Sequence, residues 1–548
     1  MNSKLEAVCR AMSSPAFYPH PVIGPKRIET HISIVFLTGN TVYKLKKPVD
    51  FGFLNFKNLA DRKLFCQQEL LLNRRLSNGV YRQVIPIYQA ADTRISLDPV
   101  GPVVEYAVSM RQLPDTCRLD HLLQHHRAGR SDIEAVGRRL ADFYSVCDRS
   151  ERISTFGTPD LIRINMEENF RQVEPYIPHA ANPSAWQFLC QVSRSFLNQN
   201  QKLFHSRIRD GSVCDGHGDL RTDHIYFDNG LQIIDCIEFN DRFRYGDLAL
   251  DLAFLKMDFD YRNYPQMAHY LLAAYVANSR DKGIYSVIDF YAAYRAIVRF
   301  KIMCLQFGNR QWGLQSRKLR RADRFLDLAY RYALQFSRPT LWICCGLPAT
   351  GKSRLARSIA DIFQLEMLST DTLRSNHYPR AISRVVPYGT GIYAKSQRAG
   401  VYRRMFAAAQ QSLKNGCSVV LDATFSEARW RDAAYQLSRD CDANLIVAEC
   451  SCGIKAIRKR LRKRDQHGST SDARIEHLPH LLRNYQPINN LQEEIFIRVD
   501  TEQPRPQTLQ RFLADAYRMQ QEQVSGRLRG CMPDFNPHAV QTTNHRGG

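Results

Sequence analysis

The chain has 548 residues and a formal net charge of +22 at pH 7, with 44% hydrophobic and 24% charged residues. This length exceeds what one hydrophobic core supports and predicts a globular protein of two or more domains. The N-terminal segment MNSKLEAVCR lacks the apolar run of a secretory signal, and the longest apolar runs, such as LWICC at 341–345, are too short for a membrane span. We therefore expect a cytoplasmic protein without a membrane span.

The positive charge favours anionic partners, which include nucleotides, phosphorylated substrates, nucleic acid and acidic membrane surfaces. Basic residues are spread along the chain instead of forming one patch, so nucleic acid is a possible but not a favoured partner. The 15 cysteines are scattered, and no pair has the Cys-x-x-Cys spacing of a zinc or redox site.

The N-terminal segment begins with strands. HISIVFL and TVYKLKK are strand-like and flank the turn TGN at 38–40, which predicts a hairpin. LADRKLFCQQELLLNRRL then has helical periodicity, and VVEYAVSM is again strand-like. From about residue 115 to 336 the pattern is mostly helical, interrupted by the loop GHGDLRTDH at 216–224 and the strand LQIID.

Residues 337–339 (Ser-Arg-Pro) mark a boundary, after which strand and helix patterns alternate. This alternation predicts a parallel α/β sheet. We expect domains over 1–336 and 340–520. The tail, 521–548, has little apolar periodicity and is predicted to be disordered.

The second domain carries a complete G-x4-G-K-[ST] signature between a predicted strand and a predicted helix. Such a loop cradles nucleotide phosphates with backbone N–H groups at a helix N-terminus. Lys352 is expected to reach the β- and γ-phosphates and the Ser353 hydroxyl to ligate Mg²⁺. The predicted nucleotide-binding residues are Gly346, Leu347, Pro348, Ala349, Thr350, Gly351, Lys352 and Ser353.

Two acidic residues follow predicted strands of the same domain. Asp371 stands after LEMLS, with Arg374 one helical turn further on, and Asp422 ends SVVLD. We predict Asp371 to be the base that takes the proton of an acceptor hydroxyl, and Asp422 to hold Mg²⁺ at the Walker B position. The structural alternative for either aspartate is a helix N-cap.

The basic helix IRKRLRKRD contains Arg460 and Arg464, which share one helical face. It stands where kinases of this type carry a lid that closes arginines over the transferring phosphate; a solvated basic helix is the alternative. Residues 340–501 resemble the P-loop kinases that include polynucleotide-kinase-like and zeta-toxin-like enzymes. That resemblance implies ATP and phosphoryl transfer without naming the acceptor.

The loop GHGDL at 216–220 and the strand end IIDCIEF together resemble the aminoglycoside-phosphotransferase branch of the protein-kinase-like fold. The resemblance implies that Asp219 is a catalytic base and that Asp235 binds a metal. It further implies that Asp247, in YGDLALDLAF, caps a helix and that Asp251 braces the catalytic loop.

The upstream lobe agrees with this resemblance. It implies that Lys46, on the strand VYKLKKP, grips phosphates and that Glu69, on the next helix, pairs with that lysine. Lys44 lies on the same face of the strand and competes for the role. VVEYAVSMRQLP resembles the hinge strand of that fold, which implies that residues 110–113 meet adenine.

His224 stands where kinase loops have a metal-binding Asn. Because Mg²⁺ prefers oxygen ligands, this substitution makes a second metal site doubtful, although Asp235 can hold one metal and Asp223 is adjacent. The N-terminal domain is therefore either an active nucleotide-binding kinase or a pseudokinase that regulates its neighbour.

The order of the two domains resembles the bifunctional aminoglycoside phosphotransferase/ATP-binding proteins. The fold class expected is a bilobal protein-kinase-like α+β domain followed by a P-loop NTPase α/β domain. We expect an enzyme that uses ATP and Mg²⁺ to phosphorylate a small-molecule or nucleotide-like hydroxyl substrate. Two alternatives stay open: a kinase of nucleic-acid ends, and a nucleotide-dependent regulator or toxin-like effector.

Overall fold

The computed structural model describes residues 3–177, 183–307, 316–377, 394–467, 474–488 and 495–531. Its contacts divide the chain into two compact units. Unit 1 comprises Met1–Asn169, Phe204–Ser279 and Tyr294–Ile302; unit 2 comprises Phe170–Leu203, Arg280–Ala293 and Met303–Gly548.

Unit 1 begins with an antiparallel six-stranded sheet of order β1-β2-β3-β6-β4-β5. Its strands are β1 Lys26–Glu29, β2 Ser33–Leu37, β3 Thr41–Lys46, β4 Tyr81–Gln89, β5 Ile95–Ser96 and β6 Val103–Arg111. The predicted hairpin and the strand VVEYAVSM are confirmed as β2, β3 and β6. Alternate apolar residues explain the sheet, because Ile34, Phe36 and Leu45 are buried against the helix Ser3–Met12.

The predicted helix over LADRKLFCQQELLLNRRL is confirmed, and it ends three residues earlier than predicted, spanning Leu59–Asn73. Its Cys66 packs on Val108 of β6, which places the helix on the other face of the sheet. Two small antiparallel ladders follow, built from β7 Val213–Asp215 with β10 Tyr245–Asp247 and from β8 Ile225–Phe227 with β9 Leu231–Ile233.

The middle of the chain is helical, as predicted. The α-helices there are Leu119–Gln124, Arg130–Val146, Glu151–Ser154, Pro159–Val173, Pro183–Gln199, Gln201–Arg209, Asp241–Arg244, Ala249–Tyr261, Pro265–Asn278, Ile288–Phe307 and Ser316–Phe336. The last of these belongs to unit 2 by its contacts, so the boundary that Pro339 predicts lies inside that unit.

The parallel sheet predicted for the second domain is confirmed, with strand order β12-β13-β11-β14-β15. Its strands are β11 Thr340–Cys345, β12 Glu366–Ser369, β13 Val419–Asp422, β14 Asn444–Ser451 and β15 Phe496–Asp500. The helices that follow β11 are Lys352–Phe363, Thr370–His377, Lys395–Lys414, Ala428–Asp440, Ile454–His467, Leu478–Arg483 and Arg505–Cys531. The connection from β11 leads to β12 on one side of it, and the connection from β13 leads to β14 on the other side, which opens a crevice at the carboxyl ends of these strands.

The prediction of disorder from residue 521 is wrong for 521–531, which continue the helix Arg505–Cys531. The helix persists because Val524 is buried and the Gln523 amide pairs with the edge of β14. Gln523 Nε2 donates to the Leu445 carbonyl at 2.9 Å, and Gln523 Oε1 accepts from Leu445 N at 3.4 Å. Residues 532–548 lie outside the described part of the chain.

Within the described residues, every helix is too short or too polar to span a bilayer.

Candidate active sites

In unit 1, Asp251 fixes the backbone of the loop predicted to be catalytic through hydrogen bonds. Its Oδ2 accepts hydrogen bonds from His217 N at 2.6 Å and from Tyr144 Oη at 3.0 Å, and its Oδ1 accepts from Gly218 N at 2.8 Å. A Cβ on Gly216 would lie 2.5 Å from Asp251 Oδ2, so only glycine allows this approach. The bracing role expected for Asp251 is confirmed.

Asp247, expected to cap a helix, accepts a hydrogen bond from Ala249 N at 2.9 Å. It also forms a buried ion pair with Arg207, whose Nη2 lies 2.7 Å from Asp247 Oδ1.

The segment before Asp235 is fastened to the same loop. Ile234 N donates to the His224 carbonyl at 3.0 Å, and Ile237 N donates to the His217 carbonyl at 3.0 Å. The His217 ring is buried, and its Nε2 lies 3.0 Å from the Ile234 carbonyl. Burial lowers the pKa of His217 to about 4, so the ring is neutral and Nε2–H is the donor. Asp219 and Asp235 are thereby brought to one site.

Asp219 is paired with an arginine that the sequence analysis did not select. Arg221 Nε and Nη2 lie 3.2 Å from Asp219 Oδ1 and Oδ2, and Arg221 Nη1 lies 2.9 Å from Asp223 Oδ2. Burial acts to raise the pKa of Asp219, but the charge of Arg221 outweighs it and holds the pKa below its ordinary value. Asp219 is therefore a carboxylate at neutral pH.

His224 lies between Asp219 and Asp235. Its Nδ1 is 2.8 Å from the Asp219 carbonyl, and its Nε2 is 2.9 Å from Arg221 Nη2 and 3.5 Å from Asp235 Oδ2. The imidazole thus occupies the position expected for a metal-binding Asn and bridges the two acidic segments instead. Asp223 points to Arg221, and its Oδ1 has no hydrogen-bond partner among the described residues.

Both candidate lysines of β3 contact Glu69. Lys44 Nζ lies 2.8 Å from Glu69 Oε1 and 2.8 Å from Asp235 Oδ1, and its side chain is 16% exposed. Lys46 Nζ lies 2.8 Å from Glu69 Oε2, forms a second ion pair with Glu238, and is 1% exposed. Lys44 is therefore the lysine next to the predicted metal-binding aspartate, whereas Lys46 is enclosed by two carboxylates.

These charges shift one another's protonation equilibria. Burial acts to raise the pKa of Asp235, but the ion pair with Lys44 holds it well below its ordinary value. Burial likewise acts to raise the pKa of Glu69, and the two lysines lower it. For Glu238 burial outweighs Lys46, and the pKa is raised.

In unit 2, the predicted phosphate loop joins β11 to the helix that begins at Lys352. Gly346 and Gly351 have φ of +126° and +103°, and Ala349 has φ of +67°. A Cβ on Gly346 would collide with the Cys450 carbonyl, so glycine is required where the loop passes β14. Leu347 begins a tight turn, because its carbonyl accepts from Thr350 Oγ1 at 2.7 Å, and Pro348 lies inside that turn.

The acidic residues predicted beside this loop are linked through Ser369. Ser369 Oγ accepts from Asp371 N at 3.3 Å and donates to Asp422 Oδ2 at 3.2 Å. Asp371 Oδ1 is paired with Arg374 Nη1 at 2.8 Å. Because β12 and β13 are parallel, with Ser369 paired to Asp422, these side chains meet at the carboxyl edge of the sheet.

The residues predicted to hold Mg²⁺ fit that role. Asp422 is 3% exposed, and its Oδ1 has no hydrogen-bond partner in the described part of the chain. A buried carboxylate oxygen without a donor is a suitable ligand for a hard cation. Ser353 follows Lys352 in the first turn of the helix and is partly exposed. Mg²⁺ is commonly held by one or two protein oxygens together with substrate phosphates and water.

Arg460 has a different environment from the one expected for a lid arginine. Its Nη1 donates to the Ala349 carbonyl at 3.2 Å, and its Nη1 and Nη2 donate to Thr501 Oγ1 and the Thr501 carbonyl at 3.0 and 2.7 Å. The guanidinium thus supports the phosphate loop from the side of β15. The side chain of Arg464 lies outside the described residues.

Sequence reasoning did not select Arg221, Glu238 or Ser369. Arg221 stands inside the recognised loop and Glu238 inside IDCIEF, so both were visible as charged neighbours of selected residues. Ser369 directly precedes Thr370 and Asp371, but its bond to Asp422 depends on the pairing of β12 with β13.

Residues 341–488 match a family described as an AAA domain. Among solved structures, the chain is similar to a choline/ethanolamine kinase family protein from Mesorhizobium loti (13% identity, 59% of this chain, 93% of that chain, TM-score 0.35). It is also similar to a gluconokinase from Sinorhizobium meliloti 1021 (18% identity, 35% of this chain, 97% of that chain, TM-score 0.26).

The fold class is established by the elements themselves: a protein-kinase-like domain and a P-loop domain with a parallel sheet. Unit 1 brings Lys44 to Asp235, unit 2 brings Asp371 and Asp422 to the edge of the sheet that bears the glycine-rich loop, and the chain is a phosphotransferase of the kinase class.

The chain is also 30% identical over 465 residues to the uncharacterized protein Rv2004c of Mycobacterium tuberculosis, covering 83% of this chain and 90% of that protein. It belongs to the same family as Rv2004c.

Proposed function

We propose that the protein is an ATP-dependent kinase in which unit 2 transfers the γ-phosphoryl group of ATP to a hydroxyl acceptor. The observation that carries this proposal is the Ser369 link between Asp371 and Asp422 at the carboxyl edge of the sheet that also bears the phosphate loop. Nucleotide phosphates bind at this edge in P-loop proteins, so donor and acid–base residues share one crevice.

In unit 2, Lys352 and the helix N-terminus hold the β- and γ-phosphates. Asp371 accepts the proton of the acceptor hydroxyl. The hydroxyl oxygen bonds to the γ-phosphorus while the bond from that phosphorus to the ADP oxygen breaks. Arg374 orients Asp371 through their 2.8 Å ion pair. Asp422 and Ser353 would hold Mg²⁺, which neutralises phosphate charge when bound.

Unit 1 is proposed to be a second kinase site. Lys44 holds the α- and β-phosphates, because it is the partly exposed lysine between Glu69 and Asp235. Lys46, which the resemblance selected for phosphate binding, instead holds Glu69 in position, since it is enclosed by Glu69 and Glu238. Asp219 orients the acceptor hydroxyl and takes its proton, and Asp235 would hold Mg²⁺.

The acceptor is proposed to be a hydroxyl-bearing metabolite. The resemblance to bifunctional aminoglycoside phosphotransferase/ATP-binding proteins supports the pair of folds, and it does not make an antibiotic the substrate. Action on nucleic-acid ends is not favoured, because the positive charge is distributed along the chain.

The test follows transfer of labelled γ-phosphate from ATP to acceptors in a cell extract by the whole protein, Lys352→Ala and Asp219→Ala. If both sites are active, Lys352→Ala abolishes one set of labelled products and Asp219→Ala another. If Asp219→Ala loses nothing, unit 1 is a nucleotide-binding regulator. If Lys352→Ala and Asp371→Asn both retain every labelled product of the unmodified protein, the proposal for unit 2 is contradicted.

A further inference from the structure

Four phenylalanines form an aromatic patch beside the catalytic loop of unit 1, and no role described above uses them. The patch consists of Phe51 and Phe53, from the loop after β3, and Phe239 and Phe243, from the segment after Asp235. The Phe53 ring centroid lies 5.8 Å from that of Phe243 and 6.2 Å from that of Phe239, and the Phe51 and Phe53 rings stack at 6.0 Å. Phe51 and Phe53 are 48% and 47% exposed.

The loop that carries the exposed rings is ordered by its own hydrogen bonds. Phe51 N donates to the Leu54 carbonyl at 3.1 Å, and Gly52 N donates to Asp50 Oδ1 at 2.9 Å. Asn240 Nδ2 donates to the Phe53 carbonyl at 2.8 Å, which ties the loop to the segment after Asp235. The backbone that carries the two exposed rings is therefore ordered before binding, which lowers the conformational entropy lost on binding.

The patch adjoins the residue that precedes Asp219. A Cβ on Gly218 would lie 2.9 Å from the Phe243 carbonyl, so the backbone of the patch touches the catalytic loop. On the other side, the Phe239 ring lies 6.4 Å from the buried Phe56 ring, over which Lys46 Nζ is placed at 5.1 Å. The aromatic cluster thus extends from the exposed patch to the buried Lys46 side chain.

Charges around the patch are balanced. Lys57 is paired with Asp50 at 3.0 Å and Arg152 with Asp241 at 2.8 Å. Arg242 is paired with Glu168 and also donates to Asn165 Oδ1 at 2.5 Å. These basic side chains already have carboxylate partners, so the rim does not select a phosphate or carboxylate group, despite the net charge of the whole chain.

The exposed area is too small for a stable protein interface. Two half-exposed phenylalanines present on the order of 200 Å², whereas a specific interface buries about 800 Å² of each partner. An area of this size suits one flat ring of a small molecule, which phenylalanine binds by stacking or edge-to-face contact.

We infer that this aromatic patch is the acceptor subsite of unit 1 and that it binds an uncharged aromatic ring of the hydroxyl-bearing acceptor. The inference rests on the proposed kinase function of unit 1 and narrows its substrate class. Phe53 provides the stacking surface, with Phe51 at its outer side, and the acceptor hydroxyl extends towards Asp219.

The test measures binding of 2-phenylethanol, with glycerol as a ring-free hydroxyl compound, by saturation-transfer NMR. It uses the full chain carrying Lys352→Ala, so that nucleotide effects report on unit 1. The same protein is titrated with MgATP by calorimetry. Phe53→Ala and Phe51→Ala are compared with Leu64→Ala, which removes a 50% exposed apolar side chain from the helix Leu59–Asn73.

We expect 2-phenylethanol to bind and glycerol not to bind. Phe53→Ala should weaken the binding of 2-phenylethanol on the order of tenfold. Phe51→Ala should weaken that binding less, and Leu64→Ala should leave it unchanged. MgATP binding should be the same in all three variants. The subsite is overturned if 2-phenylethanol does not bind, or if its binding is insensitive to Phe53→Ala. The proposed function of unit 1 still stands in that case if MgATP binds and its binding depends on Lys44.

If the Lys352→Ala protein does not bind MgATP, the proposed kinase function of unit 1 is contradicted, and the acceptor subsite is contradicted with it. A third result also overturns the inference: sedimentation showing a dimer that Phe53→Ala dissociates, without ring binding, assigns the patch to a second copy of the chain.

Discussion

Lys44 and Asp235 stand 191 residues apart in the chain and form an ion pair in which Lys44 Nζ lies 2.8 Å from Asp235 Oδ1. The pair joins the β3 strand to the segment that follows β9. Glu69, on the helix Leu59–Asn73, forms an ion pair with the same lysine. Under the proposed function of unit 1, a phosphate oxygen would meet this lysine and the carboxylate that we propose to hold Mg²⁺. The two lysines of β3 consequently have different surroundings, and we predict different tasks for them.

Substitution of the two lysines should separate nucleotide binding from stability. Lys44→Ala should abolish MgATP binding to unit 1 with little loss of stability, because Lys46 still neutralises Glu69. Lys46→Ala should lower the free energy of unfolding by about 3–5 kcal/mol, since it leaves Glu238 buried and unpaired. Calorimetric titration with MgATP and chemical denaturation measure the two effects. Equal loss of stability in both variants would contradict the division of tasks.

Arg221 should set the acid limb of the pH–rate profile of unit 1. Because its charge holds the pKa of Asp219 down, Arg221→Ala should raise that pKa and move the acid limb to higher pH. ATP turnover measured against pH in the Lys352→Ala protein reports this shift. Arg94→Ala, which removes an exposed charge elsewhere in unit 1, is the control. An acid limb that does not move in Arg221→Ala would mean that Asp219 is not the group that titrates.

His217 should make the protein less stable in mild acid. Its pKa of about 4 in the folded state lies below the ordinary 6.5, so the unfolded chain takes up the proton first as the pH falls. The stability associated with the neutral ring is complete above pH 6.5 and is lost progressively towards pH 4. The 2.5-unit difference corresponds to about 3 kcal/mol.

His217→Gln should remove this dependence, so that denaturation midpoints between pH 6.5 and 4 fall less steeply than in the unmodified protein. The same substitution at the exposed His125 should leave the dependence unchanged. Parallel curves for the His217→Gln and unmodified proteins would show that another group causes the acid lability.

Arg460 should affect nucleotide binding through the phosphate loop instead of through lid closure. Arg460→Ala removes hydrogen bonds to the Ala349 and Thr501 carbonyls. We expect about tenfold weaker MgATP binding to unit 2 and a loss of about 1–3 kcal/mol in stability. Arg458→Ala removes an exposed charge from the same helix and serves as the control. A lower rate of phosphoryl transfer with unchanged MgATP affinity and stability would restore the lid role.

Much of the architecture could be predicted from the chain because its signals are local. Apolar alternation over HISIVFL and TVYKLKK predicts the hairpin of β2 and β3, and strand–helix alternation after Pro339 predicts the parallel sheet. The order of β12-β13-β11-β14-β15 was not predicted, because strand neighbours depend on packing between distant segments. Residues 521–531 were predicted to be disordered but continue a helix, since Gln523 is held by a contact with β14.

The sequence by itself determined the phosphate loop, since eight consecutive residues carry its glycines, its lysine and its serine, and backbone conformation is local. It also determined that Lys44 and Lys46 share a face, because side chains on a strand alternate. Only the tertiary structure decided between them. Lys46 is buried in an ion pair with Glu238, which is 192 residues away in the chain. Lys44 is paired with Asp235 and stays partly exposed at the site. The difference is one of burial and ion pairing between distant segments, which residue spacing along a chain does not encode.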